Sequence, residues 1–219
     1  GFFSIFLEPI VVSQSLAIAG DTVVVATKQY GLLSGYALPL LLLPAFITYA
    51  LSTSLVPAIS EAMAKKDRIT VERRLQQSLR YSMIAGGWSV VILYVFASPI
   101  LTLMYKSDQA TPFILLLAPC FIFYYFQGPL QAVLQALNLA NSAMVNSFVG
   151  SVVKIACILL LATNPKFGIN GVALAMNISI VTITVLLFFT VLKAIQFTIY
   201  IKDYVYCSIL LGICIYLGN

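Results

Sequence analysis

With 219 residues, 61% of them hydrophobic and 9% charged, and a mean hydropathy of +1.02, the chain carries more apolar surface than one water-soluble core of this size can bury. Its net charge of +5 comes without any groove-reading motif, so no nucleic-acid partner is expected. The lack of histidine, the four scattered cysteines (Cys120, Cys157, Cys207, Cys214) and the dispersed acids disfavour metal sites, cofactors and enzyme chemistry, and leave the lipid bilayer as the expected solvent.

Taken in chain order, apolar runs between short polar breaks predict an all-α, polytopic bundle with seven membrane spans: residues 2–26, 32–58, 81–104, 111–137, 142–162, 169–192 and 204–217. The chain opens on Gly1 without Met and stops just after the short last run, so both ends are expected to be internal to a longer gene product. Glu8 and Asp21 interrupt the first run, which reads as a span and not as a secretory signal. Pro39, Pro44 and Pro57 should bend the second span, and the Gly31/Gly35 and Gly168/Gly171 pairs offer close helix approach. The polar connector 60–80 carries Val71, Leu75 and Leu79 at four-residue spacing. It reads either as an amphipathic helix at headgroup level or as a solvated continuation of the third span. If Gly1 is cytoplasmic, Lys65, Lys66, Arg68, Arg73, Arg74, Arg80, Lys193 and Lys202 fall inside, while only Lys28, Lys106 and Lys166 fall outside.

Function is sought where ionisable or amide side chains fall at bilayer depth, since they are costly there unless they face protein or water. In the first span Gln14, Asp21 and Lys28 recur every seven residues beside the row Glu8, Ser15 and Thr22, predicting one polar stripe that lines an aqueous path or packs on polar partners. Glu8 and Lys28 also suit opposite headgroup regions, whereas Asp21 does not. The fourth span places Gln127, Gln131 and Gln135 at four-residue intervals with Tyr124 and Asn138 on the same face, suited to binding sugars or water or to holding helices together. Lys154 sits well inside the fifth span beside Ser147, Gly150 and Ser151, where it either snorkels or supplies a cation to a phosphate, Asp21 or Glu8.

Three strings then carry a resemblance: LPAFITYALSTSLVPAISEAMAKKD (residues 43–67), LQALNLANSAMVNSFVGSVVKI (134–155) and FGINGVALAMNIS (167–179). In order and spacing they resemble the second half of the MOP exporter superfamily of multidrug, oligosaccharidyl-lipid and polysaccharide exporters, closest to its stage V sporulation protein B-like branch. The resemblance implies that residues 1–203 form the second lobe of a two-lobed transporter, with 204–219 starting a further helix and the N-terminal lobe as a missing partner. It also implies a multi-pass protein of the bacterial cytoplasmic membrane that flips or exports lipid-linked oligosaccharide by alternating access. Gln14, Asp21, Lys28, Tyr124, Gln127, Gln131, Gln135 and Lys154 are then the expected cavity residues. Glu8 and Asp21 are coupling candidates, above all under the alternative reading of a cation-coupled multidrug antiporter. A non-transporting scaffold for envelope synthesis is the third possibility.

Overall fold

A computed structural model describes residues 2–20 and 22–195, with side chains from Phe6 onward; the expected span 204–217, Lys202 and Asp21 lie outside the described residues. Among the described residues the elements are helices: α1 (Phe2–Ile18), α2 (Val23–Leu32), α3 (Leu38–Ala64), α4 (Arg68–Val95), α5 (Ala97–Tyr105), α6 (Thr111–Ala136), α7 (Ala140–Leu161) and α8 (Gly168–Ile195). Among the described residues five runs are long and apolar enough to cross a membrane, and α1 is a shorter apolar helix beside them.

The first two spans divide differently from the sequence expectation. The helix expected over residues 2–26 stops at Ile18; Gly20 takes a φ of +104°, open to glycine at little cost, and the Thr22 hydroxyl accepts the Val25 amide to start α2. From Val23 the chain then runs helically to Ala64, 42 residues that rise about 63 Å at ~1.5 Å each. A wider, π-type turn at Leu33–Ala37 joins α2 to α3, with the Leu38 amide reaching back to the Leu33 carbonyl. That turn precedes Pro39, whose ring would crowd the carbonyl four residues earlier in a regular helix; widening the turn relieves the crowding without breaking the rod. What stands at these prolines is a local widening before Pro39, with Pro44 and Pro57 inside the regular helix α3. The stripe read through Glu8, Gln14, Asp21 and Lys28 consequently does not lie on one helix, because the break at Gly20 separates its two halves.

The 60–80 connector divides between the end of α3, a turn in which Lys66 has a φ of +57°, and the first half of α4. Val71, Leu75 and Leu79 are buried in a core shared with Ile59 and Ala62 of α3 and Leu130, Val133 and Leu134 of α6, so the apolar face meets protein and α4 continues unbroken into the third span. Ala143 and Val191 belong to the same core, and the Ser60 hydroxyl approaches the Ala136 carbonyl at 3.5 Å. One end of the bundle thus gathers the end of α3, the start of α4, the end of α6, the start of α7 and the end of α8, and with them Lys65, Lys66, Arg68, Arg73, Arg74 and Lys193. The second core, containing Ala26, Leu101, Ala110, Ala162 and Ile169, marks the opposite end, where Lys28, Lys106 and Lys166 lie.

Glycines set the closest approaches. A Cβ on Gly171 would stand 2.8 Å from the Leu161 carbonyl group and 2.9 Å from the Ala162 nitrogen, so the start of α8 packs directly on the backbone ending α7. A Cβ on Gly31 or Gly35, by contrast, would meet nothing within 4 Å, and their expected close packing is not made among the described residues. Gly171→Ala should lower stability by about 1–3 kcal/mol because backbone cannot step aside, whereas Gly31→Ala should be neutral or stabilise by up to ~1 kcal/mol. Thermal unfolding in detergent distinguishes the two.

Candidate functional site

Among the described residues two polar constellations lie within the bundle. The first joins α1 to α7: the Lys154 ammonium donates to Oε2 of Glu8 at 2.5 Å, with side-chain exposures of 19% and 11%. Val12 and Leu16 share a core with Ile158 and Ala162, so successive turns of the two helices keep step around the pair. Tyr30 of α2 packs against that same core. Lys154 does not snorkel; at low local dielectric an ammonium and a carboxylate are each costly alone and tolerable together. The Ser147 and Ser151 hydroxyls on its helix donate to the Ala143 and Ser147 carbonyls instead.

The second constellation is a cleft of about 330 Å³ between α3 and α6, lined by Thr48, Tyr49 and Phe46 on one side and Tyr124, Gln127 and Gln131 on the other. It exists because α3 and α6 come together at Gly128, where an added Cβ would stand 3.0 Å from the Ser52 hydroxyl. The Tyr125 hydroxyl ties the same helices by donating to the Leu41 carbonyl at 2.8 Å, its ring resting on Gly86 of α4. Phe46 and Tyr49 are exposed, so the cleft opens to the side of this bundle.

The expected amide stripe therefore has three fates. Gln127 is buried and donates to the Ile180 carbonyl at 3.2 Å and the Thr184 hydroxyl at 3.1 Å, so its amide nitrogen joins α6 to α8 while its body lines the cleft. Gln131 is half-buried on the cleft wall, and Gln135 is exposed one turn further. Asn138 closes α6 with a φ of +59°, a turn role that its tolerance of left-handed backbone permits. Gln14 on α1 and Lys28 on α2 line neither the cleft nor the Glu8–Lys154 pair.

Sequence reasoning missed Tyr125 and the polar residues of α8. Asn177 donates to the Leu116 carbonyl at 2.9 Å, Ser179 to the Gly150 carbonyl at 2.8 Å, and Thr190 accepts from Asn146 at 2.8 Å. The spacing of Asn177, Ile180, Thr184, Leu187 and Val191 marks that buried face, and it is legible once α8 is known to pack on two helices. At the basic end, the Thr70 hydroxyl and amide hold the Asp67 carboxyl below its ordinary range as it caps α4, and Lys65 pairs with Glu61 at 2.6 Å on the exposed surface.

Comparison with known proteins adds a lineage to this geometry. A family model described as "Lipid II flippase MurJ" matches residues 2–219. The chain is 53% identical over 219 residues to Stage V sporulation protein B of Bacillus subtilis (strain 168), covering 100% of this chain and 42% of that protein. It is 31% identical over 195 residues to Sporulation protein YkvU of the same organism, covering 89% and 44%. A multidrug resistance MATE family transporter of the MOP superfamily, solved in an inward-facing conformation, superposes with a TM-score of 0.61 at 18% identity, over 92% of this chain and 48% of that one, which shows a shared fold. The chain spans less than half the length of both Bacillus relatives.

The ion pair offers a direct check of the first constellation. Glu8→Gln or Lys154→Met alone should each cost about 3–5 kcal/mol by leaving one charge buried, and the double substitution should recover most of that loss. Unfolding midpoints of the four proteins in the cycle measure it.

Proposed function

The chain belongs to the lipid II flippase MurJ family, and from that membership and the geometry above we propose that it forms the second of two helical lobes that carry a lipid-linked oligosaccharide from the inner to the outer leaflet of the bacterial cytoplasmic membrane. The observation that carries the reading is the α3/α6 cleft: phenol and amide groups of Tyr49, Tyr124 and Gln131 are collected beside the buried Thr48 on a face that is open at the side of this bundle. Such groups suit the hydroxyl-rich head of a lipid-linked sugar, and the first lobe, facing that side, would complete the enclosure while the polyprenyl tail stays in lipid.

The family description, lipid II flippase, supports an envelope precursor of peptidoglycan or polysaccharide type as the cargo, and the relatives' names place such proteins in sporulation. The end bearing Lys65, Lys66, Arg68, Arg73, Arg74 and Lys193 faces the cytoplasm under the bias of basic residues to that side. Rocking of one lobe against the other alternates access, and the π-type turn before Pro39, together with Pro44, is where the long α2–α3 rod can flex. Asp21, which precedes α2 in the sequence, and Lys28 within that helix are then candidates for the wall that this lobe presents to its partner, with Gln14 and Gln135 at its margins.

Gln131→Leu and Tyr124→Phe in the full-length protein should each slow precursor translocation roughly tenfold, about 1.4 kcal/mol at the transition state, with little change in unfolding midpoint. Wild-type rates in both variants, in a vesicle assay of lipid-linked precursor exposure, would remove the cleft from the pathway.

A further inference from the structure

An acid at bilayer depth must be neutralised, and three agents can do so: a proton, a mobile metal cation, or a fixed basic side chain. The first two can be loaded on one side of a membrane and released on the other; the third cannot. Glu8 has the third. Its Oε2 accepts from the Lys154 ammonium at 2.5 Å, and both side chains are largely closed off, at 11% and 19% exposure. Nothing nearby on α7 competes for the ammonium, since Ser147 and Ser151 spend their hydroxyls on the helix backbone. Of the other described acids, Glu61, Asp67 and Glu72 belong to the α3–α4 end of the bundle, and Asp108 belongs to the α5–α6 connection at the opposite end. The stem is fixed as well: Gly150, one turn before Lys154, receives Ile183 of α8, so α7 is held against α8 while its ammonium is held against α1.

We propose that Lys154 is a tethered counter-cation: its ammonium occupies, on the Glu8 carboxylate, the position that an exchangeable proton or metal cation would otherwise fill. The α1–α7 contact therefore carries a permanent internal charge partner, and Glu8 is not an ion-coupling site in this protein. The inference rests on the reading of the chain as half of an alternating-access transporter, where the loading of an intramembrane acid would drive the cycle. A corollary is that the coupling function is latent: removing the lysine should expose a carboxylate that recruits a cation from solution.

The full-length protein, purified in detergent at mildly alkaline pH, is titrated with sodium in place of choline at fixed ionic strength, reading both the unfolding midpoint and the binding of radiolabelled sodium. The wild type and Lys154→Arg should show no saturable response. Lys154→Met should acquire one, its midpoint rising with sodium by mass action, and Glu8→Gln placed on top of Lys154→Met should abolish it. Absence of any sodium response in Lys154→Met overturns the proposal, as does saturable sodium binding by the wild type that Glu8→Gln removes. Lys154→Gln, which keeps length and polarity, serves as the second variant if Lys154→Met does not fold, and the wild-type arm decides without either. None of these readouts requires translocation, so a protein that proved not to move lipid-linked sugar would fail the functional reading while leaving this test intact.

Discussion

Lipid offers no hydrogen bonds, and this one constraint orders the bundle. A polar side chain placed along the apolar helices is least costly when it returns to its own backbone, meets another helix, or reaches water. Many hydroxyls take the first course: Thr27, Ser34, Ser89 and Thr182 donate to carbonyls four residues back on the same helix. A second group takes the next: Gln127, Asn146, Asn177, Ser179 and Tyr125 each bridge two helices. Tyr49, Tyr124 and Gln131 take neither course among the hydrogen bonds described and line the α3/α6 cleft, which makes that cleft the place to look for a hydrophilic cargo.

Helix α6 is the member through which these solutions connect. It packs against α3, α4 and α8, and each of those contacts carries a polar or small-residue device: Tyr125 to Leu41 and Gly128 beside Ser52 toward α3, Gly86 beneath the Tyr125 ring toward α4, Gln127 with Thr184 toward α8. Its remaining face, Tyr124 and Gln131, is the cleft wall. Holding three neighbours rigidly while presenting one polar wall is the arrangement that a lobe moving as a body requires. The long α2–α3 rod, with its widened turn, runs along the edge of that body, where Gly31 and Gly35 have open space beside them.

The sequence disclosed the later helices well and the first ones poorly, for a physical reason. Spans read at 111–137, 142–162 and 169–192 coincide closely with α6, α7 and α8, because Asp108, Asn138 and Asn164 to Lys166 interrupt apolarity where the chain turns. At the start, apolarity hardly falters where the chain does: Gly20 and a Thr22 cap end one helix and begin another, and a long polar-apolar mixture around Lys28 hides an unbroken rod. Hydropathy measures solvent preference and is blind to a single positive φ. The three glutamines of α6 show a second limit, since equal spacing gives one amide a partner on α8, one a place on the cleft wall and one an exposed end, according to which neighbour each faces. Glu8 and Lys154 show a third. Their charges call for neutralisation, and the sequence offers Lys154 two acids, Asp21 and Glu8, yet the choice of Glu8 lies 146 residues away and only the fold makes it.

The central claim is that the α6 face bearing Gln131 looks onto water and not onto acyl chains. Its most direct measurement is the reaction of Gln131→Cys, in a background without the four native cysteines, with a membrane-impermeant thiol reagent in intact vesicles. A Val152→Cys control on the exposed apolar side of α7 sets the lipid-facing baseline. Rapid modification at position 131, well above that baseline, is the predicted result; modification no faster than at position 152 would contradict a hydrophilic pathway along this lobe.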